Sequence, residues 1–245
     1  MLTIEERDDV AVLRMEHGRV NAMDVELLDA LTEAVTATDR ALLITGAGSA
    51  FSAGVDQRQI LDGGPAYAAA FLPALTRMFR AVFDHPRPTV AAVNGHAIAG
   101  GCVLALACDI RLMSGGRIGL AELAVGVPFP VTALEIVRHA LGPRAGGVLL
   151  GADTVGAEQA LALGLVDEVT GPDDLLPRAL GLAAELSSRS AESYRLAKER
   201  LHRPAVEAIE AAAQDEHAAV LAGWTSPDTR GRIEEALRAL TARRG

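Results

Sequence analysis

Thr89–Arg111 reads TVAAVNGHAIAGGCVLALACDIR, and the way this stretch divides decides the fold. Thr89–Val93 is β-branched and apolar and reads as a strand. Asn94-Gly95 favours a tight turn, and a second break falls at Gly100-Gly101. Cys102–Cys108 is apolar without Pro or Gly and reads as a buried helix. Asp109 ends it, and Ile110–Met113 reads as the next strand. The glycine pair at the helix start has two possible uses. It can let a substrate approach the backbone, with unpaired N–H groups facing an anionic oxygen. Or it can simply let the helix pack tightly against the preceding strand.

Outward from this stretch, both directions alternate strands and helices. Ile4–Glu6 and Val10–Met15 read as strands around a turn at Arg7–Asp9. Asp24 is a good N-cap for a helix with Leu27, Leu28, Leu31 and Val35 on its apolar face. Ala41–Thr45 is a short apolar strand. After it, Gly46-Ala47-Gly48 invites a dinucleotide-binding reading, which fails. Phe51 stands where the last glycine or alanine belongs, and no helix opens on the glycines. Ser52-Ala53-Gly54-Val55-Asp56 is a second stretch of small residues, with a helix starting near Asp56. Leu61–Ala66 reads as a loop. Tyr67–Phe83 reads as a helix whose Phe71, Leu75, Met78, Phe79 and Val82 form a core stripe.

Downstream of Met113, Ser114–Arg117 is a turn and Ile118–Leu120 a strand. Glu122 is a single carboxylate among apolar neighbours, and GVPFP (126–130) is a rigid bend. Thr132 is placed to cap a helix over Ala133–Leu141, which Gly142 ends. A helix runs through Val148–Leu150, and another covers Ala157–Leu163 with Gly164 as its stop. Leu165–Val169 reads as a strand. From Asp173 onward every segment is helical: Leu175–Ser188, Ala191–Leu201, Ala205–Ala222 and Pro227–Ala242. The chain therefore divides into an α/β core, residues 1–172, and a helical region, 173–245. In Ala205–Ala222, Ile209, Ala213, Val220 and Leu221 suggest one packed face, which could meet another subunit.

Composition narrows the function. The 245 residues carry a net charge of −9, with 32 acidic against 23 basic side chains, which argues against nucleic acid as a partner. No apolar run reaches the ~18 residues of a membrane span. The N-terminal MLTIEERDDV is charged and has no apolar signal segment, so a cytoplasmic protein is expected. Cys102 and Cys108 both lie in the apolar central run and read as buried thiols, with no metal site in their spacing. Lys198 is the sole lysine.

FSAGVD (51–56), NGHAIAGGC (94–102), CDIRLM (108–113) and Glu122, in this order and spacing, resemble the crotonase family, the enoyl-CoA hydratase/isomerase superfamily. The resemblance runs from Val20-Asn21-Ala22-Met23 to Gly164-Leu165-Val166-Asp167. It implies a spiral of ββα units followed by helices that build trimers, often paired into hexamers. It also implies acyl-CoA thioester substrates and no separate cofactor, coenzyme A being part of the substrate. Two backbone N–H groups would bind the thioester oxygen, and by motif position they fall on Val55 and Gly100. CoA would lie along Ala22, Ala53, Asp56 and Gln57.

Hydratases of the family use two glutamates. The second matches Glu122, and the first falls on Val103, which has no acid–base chemistry. Adding water asks for two such groups, whereas a 1,3-proton shift asks for one. The stretch from AGGC to Pro128-Phe129 is also similar to the mitochondrial-type Δ3,Δ2-enoyl-CoA isomerases, in which an apolar residue likewise replaces the first glutamate. The favoured reading is a single-glutamate isomerase. Hydration, another crotonase activity, and acyl-CoA binding without turnover are the alternatives. His96 beside the glycines is read as structural, Glu135 as a surface or interface residue, and Arg19 as a CoA-phosphate contact or a solvated side chain.

Overall fold

The computed structural model describes residues 1–212 and 217–242. Strands β1 (Leu2–Arg7) and β2 (Val10–Met15) form an antiparallel hairpin in register from Leu2↔Met15 to Arg7↔Val10. Helix α1 (Val25–Thr36) then crosses over, capped by Asp24, whose carboxylate accepts from Leu27 N at 2.9 Å. It delivers the chain to β3 (Ala41–Gly46), parallel to β2.

From here one unit recurs. A strand of the main sheet leads to a short strand of a second sheet and then to a helix. The first unit is β3, β4 (Ala50–Ser52) and α2 (Gln57–Phe83). The second is β5 (Thr89–Val93), β6 (His96–Ile98) and α3 (Gly100–Leu106). The third is β7 (Ile110–Met113), β8 (Ile118–Gly119) and α4 (Val131–Leu141). Helix α5 (Ala145–Gly151), strand β9 (Thr154–Val155), helix α6 (Ala157–Leu163) and strand β10 (Glu168–Val169) close the core. The six-stranded sheet has the order β1-β2-β3-β5-β7-β10, and the four-stranded one β4-β6-β8-β9. This is the ββα spiral the motifs imply.

The central strands β3 and β5 of the main sheet are buried on both faces, which is why they read as unbroken apolar runs. Leu42 and Ile44 of β3 point into the large core beneath α1–α4. Ala41 and Leu43 point the other way, into a smaller core closed by Leu175, Ala179, Ala183 and Leu186 of α7 (Pro172–Ser187). Helices α8 (Ala191–Ala212), α9 (His217–Trp224) and α10 (Pro227–Ala242) complete the described chain. Among the described residues no helix is long and apolar enough to cross a membrane.

Several expectations need correction. Residues 61–66 are not a loop. Helix α2 runs through them with a kink at Gly64 (φ 59°, ψ −153°). Pro65 opens the second helical segment, where its missing N–H costs little. Helix α8 continues through Pro204 instead of breaking, because buried His202, Ala205 and Ile209 hold it on the core. Ala213, one of the expected face positions, lies outside the described residues. Thr132 caps nothing: α4 starts at Val131 after Pro130, and Thr132 is buried. Of the strand expected over 165–169, only Glu168–Val169 pairs. Leu165 N instead donates to Ala160 O at 2.9 Å and closes α6. Strands β4 and β6, three residues each, carry no sequence period that marks them as strands.

Candidate active site

Two turns of small residues, distant in sequence, are built against each other. The first follows β4. Asn21 adopts a left-handed backbone (φ 50°), and its side-chain amide donates to Ala50 O and Phe51 O, both at 3.1 Å. Ser52 Oγ donates to Asn21 O at 2.7 Å and accepts from Gly54 N at 3.1 Å. Met23 N donates to Gly54 O at 2.7 Å, and Asp56 N to Met23 O at 2.9 Å. Residues 21–23 and 52–56 are thus zipped together, which brings Ala22 and Ala53 to one edge. The Asp56 carboxylate caps α2, accepting from Arg58 N and Gln59 N.

The second turn joins β6 to α3. Ala99 makes it with φ 52°, a conformation that L residues rarely adopt. The glycines packed around it divide the two uses read from the sequence. A Cβ on Gly101 would lie 2.3 Å from Ser52 O, so this glycine lets α3 press onto β4. A Cβ on Gly54 would lie 3.1 Å from Gly100 N, so the two turns touch at Gly54 and Gly100. Among the described residues, neither Val55 N nor Gly100 N has an acceptor within the protein.

Glu122 follows β8 in a tight turn. Its carbonyl accepts from Val125 N at 3.1 Å and Val127 N at 3.0 Å. Its carboxylate atom Oε2 is buried and has no hydrogen-bond partner among the described residues. Loss of water around the carboxyl pushes its pKa up to about 7, against a smaller opposite pull from the backbone N–H groups of Glu122 and Ala121. A group with that pKa can take up and give back a proton near neutrality.

Glu122 shares a cavity of about 90 Å³ with Ala53, Val55 and Gln57, and Trp224 and Ile233 line it too. Among the described residues Glu122 is the lone carboxylate on its lining. Gly100 is buried and follows Ala99, which lines the cavity. Ala22 is half-buried, on the edge it shares with Ala53. Val103 is 1 % exposed inside α3 and does not reach the cavity. His96 is exposed, and its Nδ1 accepts from Arg117 N at 3.2 Å. Arg19 is exposed. The Glu135 side chain is 12 % exposed and pairs with Arg138 on the same helix. Among the described residues no three His, Cys, Asp or Glu side chains converge as metal ligands would. Both cysteines are buried free thiols, and burial holds the Cys108 thiol up at about 12.

A larger cleft of about 320 Å³ opens between α4 and α8, beside Phe83, His139 and His202. It contains none of the expected site residues, and its charged groups are already paired within the protein, Lys198 with Asp109 and Arg111 with Asp167.

Residues 5–234 match the family described as Enoyl-CoA hydratase/isomerase. The chain belongs to this family. A putative enoyl-CoA hydratase of Thermus thermophilus is 35% identical over 210 residues, covering 82% of this chain and 83% of the relative. A Mycobacterium tuberculosis structure described as an enoyl-CoA isomerase superposes with a TM-score of 0.81 at 32% identity, covering 89% of this chain and 97% of that one. Human mitochondrial Δ3,Δ2-enoyl-CoA isomerase superposes with a TM-score of 0.94 over 100% of this chain and 99% of its own. At 22% identity that likeness speaks for the fold. Trp224 and Ile233 escaped the sequence reading. The one available signal was the chain's single Trp, placed just past the expected end of a helix.

Proposed function

We propose that this family member is a Δ3,Δ2-enoyl-CoA isomerase with Glu122 as its only acid–base group. The carrying observation is that one carboxylate, with an unpartnered buried oxygen, lines the cavity, while Val103 sits in the core as an apolar residue. In this reading CoA lies along Ala22, Ala53, Asp56 and Gln57, and no further cofactor takes part. The N–H groups of Val55 and Gly100 hold the thioester oxygen. Glu122 removes a proton from C2 of a 3-enoyl-CoA. The freed electron pair spreads over the thioester as a dienolate whose charge the two fixed donors stabilise. Such a donor contributes about 3–4 kcal/mol to a transition state. Glu122 then returns the proton at C4, and the double bond finishes between C2 and C3. No atom is gained or lost.

The hydratase names carried by many relatives support a second reading, hydration of a 2-enoyl-CoA. Incubation with 3-enoyl- and 2-enoyl-CoA followed by product identification separates the two. The expected result is interconversion of the double-bond isomers, reduced by about 10²–10⁴ in Glu122→Gln. Efficient hydration of crotonyl-CoA without isomerisation would overturn the proposal, as would near-normal isomerisation by Glu122→Gln. The same reading includes a trimer or dimer of trimers assembled through the helices after Asp173, for which sedimentation at micromolar concentration is the check.

A further inference from the structure

The Glu122 cavity shares part of its wall with a second void. Ile60 of α2, Trp224 of α9 and Ile233 of α10 line both. The second void measures about 20 Å³ and lies under the α2 kink, beside Gly64 and Pro65. These side chains therefore stand as a partition between two spaces.

The partition is held firmly. Trp224 is 4 % exposed, and its Nε1–H donates to Pro128 O at 2.8 Å. Its ring packs on Phe71 with centroids 5.9 Å apart. A Cβ on Gly223 would lie 2.6 Å from Pro128 Cγ, so α9 already touches the bend. Thr229 Oγ1 donates to Gly126 O at 2.9 Å and pins the start of α10 to the same bend. The bend that follows Glu122 in the chain thus anchors the shared wall. Packed interiors of this kind do not stretch to admit extra methylenes at no cost.

Volume sets the length. A cavity of about 150 Å³ accepts benzene, with its six carbons. The 90 Å³ cavity here then accommodates about four. We infer that Trp224 and Ile233 form a gauge that restricts this enzyme to short acyl groups, about four to six carbons long, and that thinning it opens the void beneath Gly64 to longer chains. The inference rests on the reading of the Glu122 cavity as the acyl site.

The test uses saturated acyl-CoAs, which bind without turnover, so the result does not depend on which reaction is catalysed. Calorimetric Kd values are measured for butyryl-, hexanoyl-, octanoyl- and decanoyl-CoA with the parent protein, Ile233→Ala and Trp224→Ala. In the parent, affinity should fall about tenfold or more between hexanoyl- and decanoyl-CoA. In Ile233→Ala the ratio of decanoyl to butyryl affinity should rise about tenfold or more, because the two spaces merge. Trp224→Ala should do the same where circular dichroism shows it folded. If it does not fold, Ile233→Ala decides alone. Equal or rising affinity with length in the parent overturns the gauge, and so does an unchanged ratio in folded Ile233→Ala. Absence of affinity for every chain length would overturn both the gauge and the acyl-CoA site. A length cut-off without isomerase turnover would overturn only the isomerase reading.

Discussion

Lys198 Nζ lies 2.9 Å from Asp109 Oδ1, joining α8 to the end of α3 across 89 residues of chain. The side chains are only 7% and 13% exposed. Asp109 Oδ2 also accepts from Thr89 N at 2.8 Å and from the Tyr194 hydroxyl at 3.0 Å. The carboxylate is thus the point where β5, the start of β7 and the helical region meet. Removing one partner of such a buried pair leaves a charge uncompensated, which costs more than the pair itself contributes. Lys198→Met should therefore lower stability by about 3 kcal/mol, read from the urea midpoint. The double variant Lys198→Met with Asp109→Asn should recover part of that loss. A single-variant loss below about 1 kcal/mol would place this pair with ordinary surface bridges.

The two glycines at the start of α3 should respond differently to one added methyl. In Gly101→Ala the Cβ meets the Ser52 carbonyl oxygen at 2.3 Å, and backbone cannot step aside cheaply. In Gly100→Ala it meets Met23 Sδ at 3.2 Å, a flexible side chain that can give. Gly101→Ala should cost about 3 kcal/mol or prevent folding, and Gly100→Ala about 1 kcal/mol or less. Gly100→Pro removes the N–H itself and should abolish turnover. Thermal melts of the alanine variants decide the first contrast, and equal losses would contradict it.

What was legible follows the range of the interactions. Asp24, Gly164 and the apolar β3 and β5 declare themselves through capping, a left-handed stop and burial on both faces, all local signals. Strands β4 and β6 are too short to display a period, and their pairing is decided by the second sheet. The continuous α8 was hidden because Pro204 reads as a breaker, while His202 stacked on Phe83 at 3.9 Å holds the helix in place. The site divides in the same way. Small residues at Ala53-Gly54 and Gly100-Gly101 point to a backbone approach. That Gly54 and Gly100 touch depends on bonds between residues 21–23 and 52–56, more than 25 positions apart. The wall formed by Trp224 and Ile233 is a contact across about 100 residues and leaves no trace in spacing.

Burial of Glu122 should set stability and activity against each other along the pH axis. The carboxyl takes its proton at about 7 in the folded protein, against 4.5 in the unfolded chain. Between those values the folded state holds a proton that the unfolded chain releases. The resulting stabilisation is complete below pH 4.5 and is lost as pH rises through 7. Glu122→Gln has no such proton, so relative to the parent it should gain up to about 3 kcal/mol between pH 4.5 and pH 8. Urea midpoints of both proteins at pH 5 and pH 8 measure this, and parallel curves would contradict it. Turnover needs the opposite form, because the base must be ionised to remove the C2 proton. The parent kcat/KM should rise about tenfold per pH unit below 7 and level off above it. The carboxylate is thus least stabilising in the form that does the chemistry, and a rate profile flat from pH 5 to 8 would assign the proton transfer to another group.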